Sequence, residues 1–447
     1  MSGHQPTVEE LLAKAKQPAK DAMELHPFYK GKIQTTSKCC IRSLDDFAIW
    51  YTPGVAAPCR DIAANPMASY EHTNRANTIA VVSDGTRVLG LGNIGPEAGM
   101  PVMEGKALLF KYLGGVDAVP LCIDAHDPKD IIQFVEWIQP SFGGINLEDI
   151  QKPQCFEVLD TLRKSARIPV WHDDQQGTAA VTVAGLINAL KLVGKEMGEV
   201  RMTMLGAGAS NQAIVRMLVV AGADPEKITM VDSKGCLHKG RTDIQNGNDM
   251  WKWGWAQRTN GEQREGGFDV AIENAEVLVA LAQSGPGVVK IEHVRSMAKD
   301  PIVFCCANPV PEMWPWEAKE AGAAVFATGR SDFANQVNNS LGFPGIFRGT
   351  LDVRATTITD EMCIAAAREL AKVAEDKGLR PDYIIPNMNE WEVFPREAVA
   401  VGLKAIEQGV AQLEFDADTL YTMAETQIKE ARAQIDSLQA NGHIKLP

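Results

Sequence analysis

Two pairs of neighbouring acids are the residues in this chain whose types and spacing most suggest chemistry. Asp173-Asp174 and Glu148-Asp149 each follow a short apolar run of strand length. Burying a carboxylate costs several kcal/mol unless something neutralises it, and Mg²⁺ or Mn²⁺ is the simplest partner because these ions take carboxylate and water oxygens. An acid after a strand also commonly caps the next helix. Either pair alone fits both interpretations, but two such pairs favour a metal site.

The elements that must position these acids form an alternating pattern. Strands are predicted at residues 79–82, 118–123, 144–147 and 168–171, and helices at 102–112, 129–138 and 154–165. Alternation of buried strands with helices predicts an α/β domain with a parallel sheet. Ligands bind outside the carboxyl ends of such strands. Three polar clusters stand at those ends, at residues 84–87, 148–149 and 173–174.

A second unit opens with a strand, a Gly-x-Gly turn and a helix. Gly206 and Gly208 allow a tight turn and the close approach of a pyrophosphate to the helix N-terminus. The next strand, 228–232, ends in Asp232 at about the spacing of the acid that contacts a ribose. Asn211 replaces the third glycine, so we expect it to loosen the helix–strand packing or to add a polar contact. The pattern predicts a Rossmann-type, doubly wound dinucleotide-binding domain.

The remaining segments complete the predicted organisation. Further strands are expected at 277–281, 302–306 and 324–326, and helices at 8–16, 213–221 and 418–439. The polar segment 246–267 carries three tryptophans and is interpreted as an exposed insertion, with a role in subunit contact as one interpretation. The predicted domains are an N-terminal substrate domain (1–165), the Rossmann domain (166–345) and a helical C-terminal segment (346–447) that packs back on the first domain.

Length and composition exclude several classes of protein. A chain of 447 residues needs two or three domains. The net charge of -13, with no basic run, argues against nucleic acid or an anionic membrane surface as partner. No stretch is expected to reach transmembrane length, and no secretory signal is recognised. Nine cysteines without Cys-x-x-Cys spacing predict a reducing, cytoplasmic location.

Two further residues have both an ordinary and a chemical interpretation. Tyr51 ends an apolar element just before a Thr-Pro-Gly turn, where a half-buried tyrosine with one hydrogen bond is common. Lys106 follows Gly105 and has apolar neighbours. Partial burial would lower its pKa and make it a usable base, whereas a surface lysine that packs only its alkyl chain fits the same pattern.

Taken as a set, these motifs resemble the malic enzyme family, the oxaloacetate-decarboxylating malate dehydrogenases. The matching stretches occur in family order over about residues 45–350. They are Tyr51-Thr-Pro-Gly, Ser83-Asp-Gly-Thr-Arg-Val-Leu-Gly-Leu-Gly92, Gly105-Lys106, Glu148-Asp149, His172-Asp-Asp-Gln-Gln-Gly-Thr-Ala-Ala180, Leu205-Gly-Ala-Gly208, Val231-Asp-Ser-Lys-Gly235, Ala307-Asn-Pro309 and Asn338-Asn339. The chain resembles the compact forms, without an appended acyltransferase domain.

The resemblance implies oxidative decarboxylation of malate to pyruvate and CO₂, with reduction of NADP or NAD and help from Mg²⁺ or Mn²⁺. The residues that it implies are the metal ligands Glu148, Asp149 and Asp174, the catalytic residues Tyr51, Lys106 and Asp173, the substrate-binding residues Arg87, Asn308 and Asn338, and the cofactor-binding residues Gly206, Ala207, Gly208, Ala209, Ser210, Asn211, Asp232, Ser233, Lys234 and Asn308. In this scheme Lys106 takes the C2 hydroxyl proton, Asp173 orients that lysine and Tyr51 protonates C3 of the enol.

A homodimer or higher homo-oligomer is also expected from the resemblance. The sequence leaves open whether Tyr51 or Lys106 acts across a subunit boundary. Adjacent strand residues point to opposite faces of a sheet, so Glu148 and Asp149 can share one ion only if the chain has already turned at that point.

The predicted cofactor is NADP. Asp232 alone would favour NAD, because an acid repels a 2′-phosphate. Ser233 and Lys234 follow at once, and this run resembles that of NADP-using malic enzymes. Lys234 would therefore offset the acid, and Arg241 or Lys239 are alternatives for the same role.

Three other functions stay open at this point. A malolactic enzyme would use the same site with bound NAD to make lactate without net redox change. Another metal-assisted dehydrogenase that decarboxylates a 2-hydroxy acid is the second. The third is a catalytically silent NADP-binding regulatory protein, although such a sensor has no need of Tyr51 or Lys106.

Overall fold

The structure is a computed structural model, and it describes residues 7–247 and 249–447. The strands within those residues are β1 (Thr78–Ser83), β2 (Asp117–Cys122), β3 (Gly144–Leu147), β4 (Val170–His172), β5 (Met202–Leu205), β6 (Ile228–Asp232), β7 (Gly235–Cys236), β8 (Val277–Ala280), β9 (Ile302–Cys305) and β10 (Val325–Thr328). The helices are α1 (Val8–Tyr29), α2 (Phe47–Trp50), α3 (Ala56–Ala64), α4 (Ser69–His72), α5 (Pro96–Gly114), α6 (Pro128–Ile138), α7 (Gln154–Ser165), α8 (Thr178–Val193), α9 (Ala209–Ala221), α10 (Thr242–Gln245), α11 (Met250–Arg258), α12 (Phe268–Ile272), α13 (Ile291–Arg295), α14 (Pro315–Ala321), α15 (Phe343–Asp352), α16 (Asp360–Asp376), α17 (Val393–Glu407) and α18 (Ala417–Ala440).

The first sheet is parallel and has the order β2-β1-β3-β4. Alternate residues of β1 enter different cores: Ile79 and Val81 pack in the largest core of the molecule, and Ala80 and Val82 pack in a second one. Both faces of the strand are therefore buried, as is usual for a parallel sheet. The predicted α/β class is confirmed.

The predicted boundary at residue 165 cuts through this first sheet. β4 pairs with β3 through Ile145, Asn146 and Leu147, although it lies beyond that boundary. The strand–helix alternation groups residues 168–171 with the first sheet, and only the predicted boundary at residue 165 separates them from it. The other limits of the three predicted domains stay predictions.

The second sheet has the order β10-β9-β8-β5-β6-β7 and is parallel except for the two-residue edge strand β7. This is the Rossmann arrangement, with its topological switch point between β5 and β8. The crevice at that point lies at the carboxyl ends of these strands, beside the Gly-x-Gly turn. The predicted doubly wound domain is confirmed.

The C-terminal helices pack on both units. Phe343 and Phe347 of α15 lie with ring centroids 4.6 and 5.1 Å from that of Phe110 in α5. Arg432 of α18 donates a hydrogen bond to the Tyr112 carbonyl, also in α5. α16 packs against α8 and α9, so the C-terminal segment also covers the second unit.

The tryptophan-bearing segment 246–267 is not the exposed insertion that we expected. It contains α11, in which Trp255 is buried. The Trp251 ring stacks on that of Phe156 in α7 with 5.3 Å between centroids, and its indole N–H donates to Asp160 at 2.8 Å. The expectation was wrong because the overall composition of the segment is polar, although one face of its helix α11 is apolar and packs in the core.

Two other expectations are corrected by helix lengths. α1 runs to Tyr29 with Pro18 and Pro27 inside it, whereas the predicted helix stopped at residue 16.

The stretch Asp173–Val193 is long and apolar enough to span a membrane by length and composition, contrary to the expectation that none is. However, 72% of its most apolar window is buried inside the protein, so this helix forms part of the core.

Candidate active site

Three carboxylates converge where the first sheet ends. One oxygen from each of Glu148, Asp149 and Asp174 lies within 4.8 Å of the others. β3 ends at Leu147 and Asp149 has a left-handed backbone with φ of 55°, so the chain has already turned and two adjacent acids reach one point. The Asp149 backbone N–H donates to the Asp174 carboxylate at 2.9 Å, which fixes the second loop against the first.

The electrostatics of this cluster call for a cation. Burial, with the charge of Asp174 next, raises the pKa of Asp149 to about 8. Burial also raises the pKa of Glu148 and of Asp174 above their usual values. Asp149 Oδ2 is buried and has no hydrogen-bond partner within the described residues. An all-oxygen set with an unsatisfied buried acceptor fits Mg²⁺ or Mn²⁺.

Lys106 lies beside this cluster in a buried ion-pair network. Its ammonium is 2.6 Å from Asp173 Oδ2 and 3.1 Å from Glu148 Oε1. The Phe343 ring lies under it, with the nitrogen 4.4 Å from the centroid. Asn339 donates a short hydrogen bond to the same Asp173 oxygen. The structure therefore brings together Lys106, Asp173 and the three convergent acids.

The pKa of Lys106 differs from the expected direction. Burial does act to lower it, but the charges of Asp173 and Glu148 outweigh burial and raise the pKa above its usual value. Lys106 is thus an ammonium between carboxylates. Because the charge of Glu148 helps to raise its pKa, Lys106 becomes available as a base when another group neutralises Glu148.

Gly177 is required by the close packing around Asp173. Asp173–Gly177 form a single π-helical turn, a feature often found at functional sites. A Cβ at position 177 would lie only 2.1 Å from Asp173 Oδ1. The turn also sends the two neighbouring acids apart, Asp173 towards Lys106 and Asp174 towards Asp149.

The predicted substrate residues lie on loops around the cluster. Arg87 is exposed, and its backbone N–H donates to the Asp149 carbonyl. A Cβ at Gly90, in the same loop, would lie 3.8 Å from the Asn308 carbonyl oxygen, so this loop approaches the second unit. Asn338 uses its side-chain oxygen to cap Ser340, and Asn339, its neighbour, is the one that contacts Asp173.

The Gly-x-Gly turn joins the dinucleotide site to the acid cluster. Gly206 has φ of 103° and a Cβ there would lie 2.5 Å from the Leu281 carbonyl oxygen, so only glycine fits. Asn211, in place of the third glycine, donates to the Leu205 and Gly206 carbonyls, which is the polar contact we considered. Ser210 donates to the backbone carbonyl of Asp174 at 3.0 Å.

The carboxyl end of β6 carries more positive charge than expected. Asp232 accepts hydrogen bonds from Arg241 at 3.0 and 3.1 Å and a short one from Lys252 of α11. Burial opposes these bonds, but together they lower the pKa of Asp232. Lys234 instead lies 3.2 Å from Asp243 and is 68% exposed.

Sequence reasoning missed four contacts of this site. Asn339, which contacts Asp173, is the second amide of the Asn338-Asn339 motif, so the motif was a signal for it. Lys252, which contacts Asp232, lies in the tryptophan segment, to which the sequence analysis gave no role in the site. The other two had no recognisable signal: Phe343 lies under Lys106, and Lys152 donates to the Ala207 carbonyl while lying 3.8 Å from Asp249.

Comparison with known families agrees with this geometry. A model described as "Malic enzyme, NAD binding domain" matches residues 175–406, more than half of the chain, and one described as "Malic enzyme, N-terminal domain" matches residues 30–132. The chain belongs to the malic enzyme family. The predicted family is therefore confirmed.

Three relatives and one solved structure illustrate the similarity. The chain is 48% identical to the bifunctional malic/malolactic enzyme of Bacillus subtilis, over 89% of this chain and 95% of that protein. It is 48% identical to the NAD-dependent malic enzyme of Geobacillus stearothermophilus (86% and 78% covered) and 44% identical to the NADP-dependent malic enzyme of Halomonas elongata (87% and 93%). A crystal structure of Entamoeba histolytica malic enzyme, 51% identical, has a TM-score of 0.96 and covers 100% of this chain and 93% of that one. Because both dinucleotides occur among the relatives, the choice between them is not settled by similarity.

We predict that Asp174→Asn weakens Mn²⁺ binding by about 100-fold. Loss of an outer-shell partner of a metal ligand typically costs about 10- to 100-fold in metal affinity, and loss of a direct ligand should cost at least as much as the upper value. The fold should persist, because the asparagine oxygen can still accept the Asp149 N–H. Isothermal titration with Mn²⁺ measures the change. Asp124→Asn is the matched control, since Asp124 is 89% exposed just after β2 and should leave the affinity unchanged. Equal affinity in wild type and Asp174→Asn would remove Asp174 from the metal site.

Proposed function

We propose that this protein catalyses the metal-dependent oxidative decarboxylation of malate to pyruvate and CO₂ with reduction of a nicotinamide dinucleotide. The observation that carries the proposal is the buried pair of Lys106 and Asp173 beside three convergent acids, joined through Ser210 to a Gly-x-Gly turn. A base, a cation site and a hydride acceptor site are thereby adjacent. The names of the relatives support the same chemistry.

In the proposed mechanism each residue has a defined part. Arg87, exposed in the loop that contacts Asp149, is the group that pairs with a carboxylate of malate. Lys106, in its neutral amine form, takes the C2 hydroxyl proton and becomes an ammonium as hydride leaves C2 for the nicotinamide. Asp173 and the Phe343 ring hold its ammonium in place. Glu148, Asp149 and Asp174 would hold the divalent cation, which when bound polarises the C2 oxygen and offsets the carboxylate charge that raises the pKa of Lys106.

We predict that Lys106→Ala abolishes malate oxidation but retains part of the decarboxylation of added oxaloacetate, because the base is needed only to form the ketone. The measurement is reduced dinucleotide formed from malate and Mn²⁺, followed by absorbance, beside a separate assay of oxaloacetate loss. Lys111→Ala, five residues along the same helix and paired with Asp117, is the control and should oxidise malate normally. Normal malate oxidation by Lys106→Ala would disprove the assignment.

A malolactic reaction is the second candidate, because the Bacillus subtilis relative carries both activities in its name. The same wild-type assay separates the two. Reduced dinucleotide and pyruvate in equal amounts support the proposed function. Lactate without accumulation of reduced dinucleotide would support the alternative.

We also propose that Tyr51 acts in the site of a second copy of the chain. Its side chain is 71% exposed and its hydroxyl has no hydrogen-bond partner within residues 7–247 and 249–447, in contrast to the buried Lys106. Large exposed apolar side chains surround it in sequence, namely Ile41, Leu44, Phe47, Ile49 and Trp50. An apolar surface of this kind is typical of a subunit interface. A homodimer would cover it and bring Tyr51 to its partner's enol, where it donates a proton to C3.

We predict that two inactive variants complement each other if Tyr51 crosses the interface. Co-expressed Tyr51→Phe and Lys106→Ala chains would form mixed dimers that each contain one intact site. Each mixed dimer has one intact site of two, so purified mixed dimers should show about half of wild-type activity, and the unfractionated random mixture about a quarter. Purification through two different tags and a malate assay measure this. Mixed dimers without activity would place Tyr51 and Lys106 in the site of the same chain.

The preferred dinucleotide in this proposal is NADP. Around the carboxyl end of β6, three cations (Arg241, Lys252 and Lys234) face two acids (Asp232 and Asp243). The excess positive charge suits a 2′-phosphate. We assign the contact to Lys252 rather than to the expected Lys234, because Lys252 is largely buried against Asp232 at the end of β6, whereas Lys234 is exposed and pairs with Asp243.

We predict that Lys252→Gln lowers the ratio of kcat/KM for NADP to that for NAD by roughly 10- to 150-fold, the equivalent of a charge-assisted contact of about 1.5–3 kcal/mol. Lys234→Ala should change the ratio much less. Lys227→Ala, at the opposite end of β6 and bonded to the Gly198 carbonyl, is the control and should leave it unchanged. A ratio that Lys252→Gln does not alter would exclude Lys252, and a wild-type ratio below one would favour NAD.

A further inference from the structure

Glu312 is a buried carboxylate that the proposed mechanism does not use. It lies between β9 and α14 with no exposed surface. Its two oxygens accept hydrogen bonds from backbone N–H groups of two different loops: Oε1 from Ala282 at 3.1 Å and Oε2 from Ala307 at 3.2 Å. A single side chain therefore ties together the segments that follow β8 and β9.

Both segments form walls of the dinucleotide crevice. The first begins with Leu281, whose carbonyl oxygen faces Gly206 so closely that no Cβ fits there. The second continues from Ala307 into Asn308, which the family resemblance implies as a substrate-binding and cofactor-binding residue. Ser284 and Val310 add two backbone-linked contacts between the same segments. The Glu312 bridge is therefore one of several contacts that hold the two segments together, and it is the one made by a titratable group.

Protonation changes what this bridge can do. An ionised carboxylate accepts on both oxygens, whereas a neutral carboxyl group has one accepting oxygen and one O–H that donates. The neutral form can therefore hold only one of the two N–H groups. Burial raises the pKa of Glu312 to about 7, so lowering the pH from about 8 to about 6 takes it from mostly ionised to mostly neutral.

The groups around Glu312 do not supply a compensating charge. The nearest titratable groups are the Cys305 and Cys306 thiols, whose pKa values burial raises, so they stay neutral. The charged side chains on the surrounding elements have other partners: Glu317 accepts from the Trp314 N–H, Arg330 pairs with Asp332, and Lys290 lies near Glu292.

We propose that Glu312 is a positioning residue for dinucleotide binding: its ionised carboxylate holds the β8 and β9 loops in the spacing that the dinucleotide needs, and its neutral form releases one of them. The inference rests on the dinucleotide site of the proposed function but not on malate, the metal or the identity of the hydroxy acid.

The test is the dissociation constant for NADPH, measured by fluorescence titration in wild type and Glu312→Gln at about pH 8 and about pH 6. Glutamine has the size of glutamate and the hydrogen-bonding pattern of its neutral form. At the higher pH we expect the variant to bind about tenfold more weakly, as loss of one charge-assisted hydrogen bond predicts. At the lower pH the two proteins should bind nearly equally. The ratio cancels groups that titrate in both proteins, including the 2′-phosphate.

The outcomes separate a positioning role from a structural one. A ratio that is the same at both pH values, whether one or larger, overturns the inference. Glu317→Gln, in the adjacent α14, is the matched control and should give a ratio near one at both pH values. If wild type binds no NADPH or NADH, the proposed function and this inference both fail.

A second measurement does not depend on the variant folding. Hydrogen exchange of the wild-type segments 281–285 and 306–311, corrected for the intrinsic effect of pH, should show loss of protection between about pH 8 and about pH 6. Unchanged protection in both segments would overturn the inference.

Discussion

The structure depends most on the burial of four carboxylates around one ammonium. Glu148 and Asp173 contact Lys106, and Asp149 and Asp174 lie beside them, so four acids share one ammonium and burial raises the pKa of each acid. Taking an ion out of water costs several kcal/mol even after relaxation, so the surrounding chain is built to lower that cost. Amide and indole N–H groups from three different parts of the sequence donate to these acids, namely those of Asn146, Asn339 and Trp171. These bonds leave Asp149 Oδ2 buried without a hydrogen-bond partner among the described residues, which is the basis of the proposed cation site.

The two sheets divide the chemistry between them. The first places acids and the lysine at its carboxyl edge, where β3 and β4 end side by side. The second places glycines and Asn308 at its own carboxyl edge. α8, almost wholly buried, begins directly after the Asp173–Gly177 turn and packs in the core shared by both units. Its rigidity keeps the acids at a fixed position relative to the dinucleotide turn, which a loop between two domains could not do.

The parts that the sequence predicted are those that follow from local rules. Strand ends, alternation and a Gly-x-Gly turn depend on neighbouring residues, so the sheets and a metal site at the two acid pairs could be inferred, whereas the choice of Glu148, Asp149 and Asp174 among the four acids came from the family resemblance. The contact of Asn339 with Asp173 spans 166 residues and depends on how two units dock. The pKa of Lys106 could not be inferred either, because burial and the two carboxylates act in opposite directions and only their distances decide the sign. The packing of the tryptophan segment against α7 could not be predicted either, because composition does not indicate which helix a segment contacts.

The hydrogen bond from Ser210 to the Asp174 carbonyl has a thermodynamic consequence. Ser210 lies in the first turn of α9, the helix that follows the Gly-x-Gly turn, and Asp174 is one of the three convergent acids. Anything that orders one of these groups therefore restrains the other. By linkage, the free energy by which dinucleotide improves cation binding must equal that by which the cation improves dinucleotide binding. Any cooperativity that this hydrogen bond transmits between the two proposed sites would therefore need no movement of subunits.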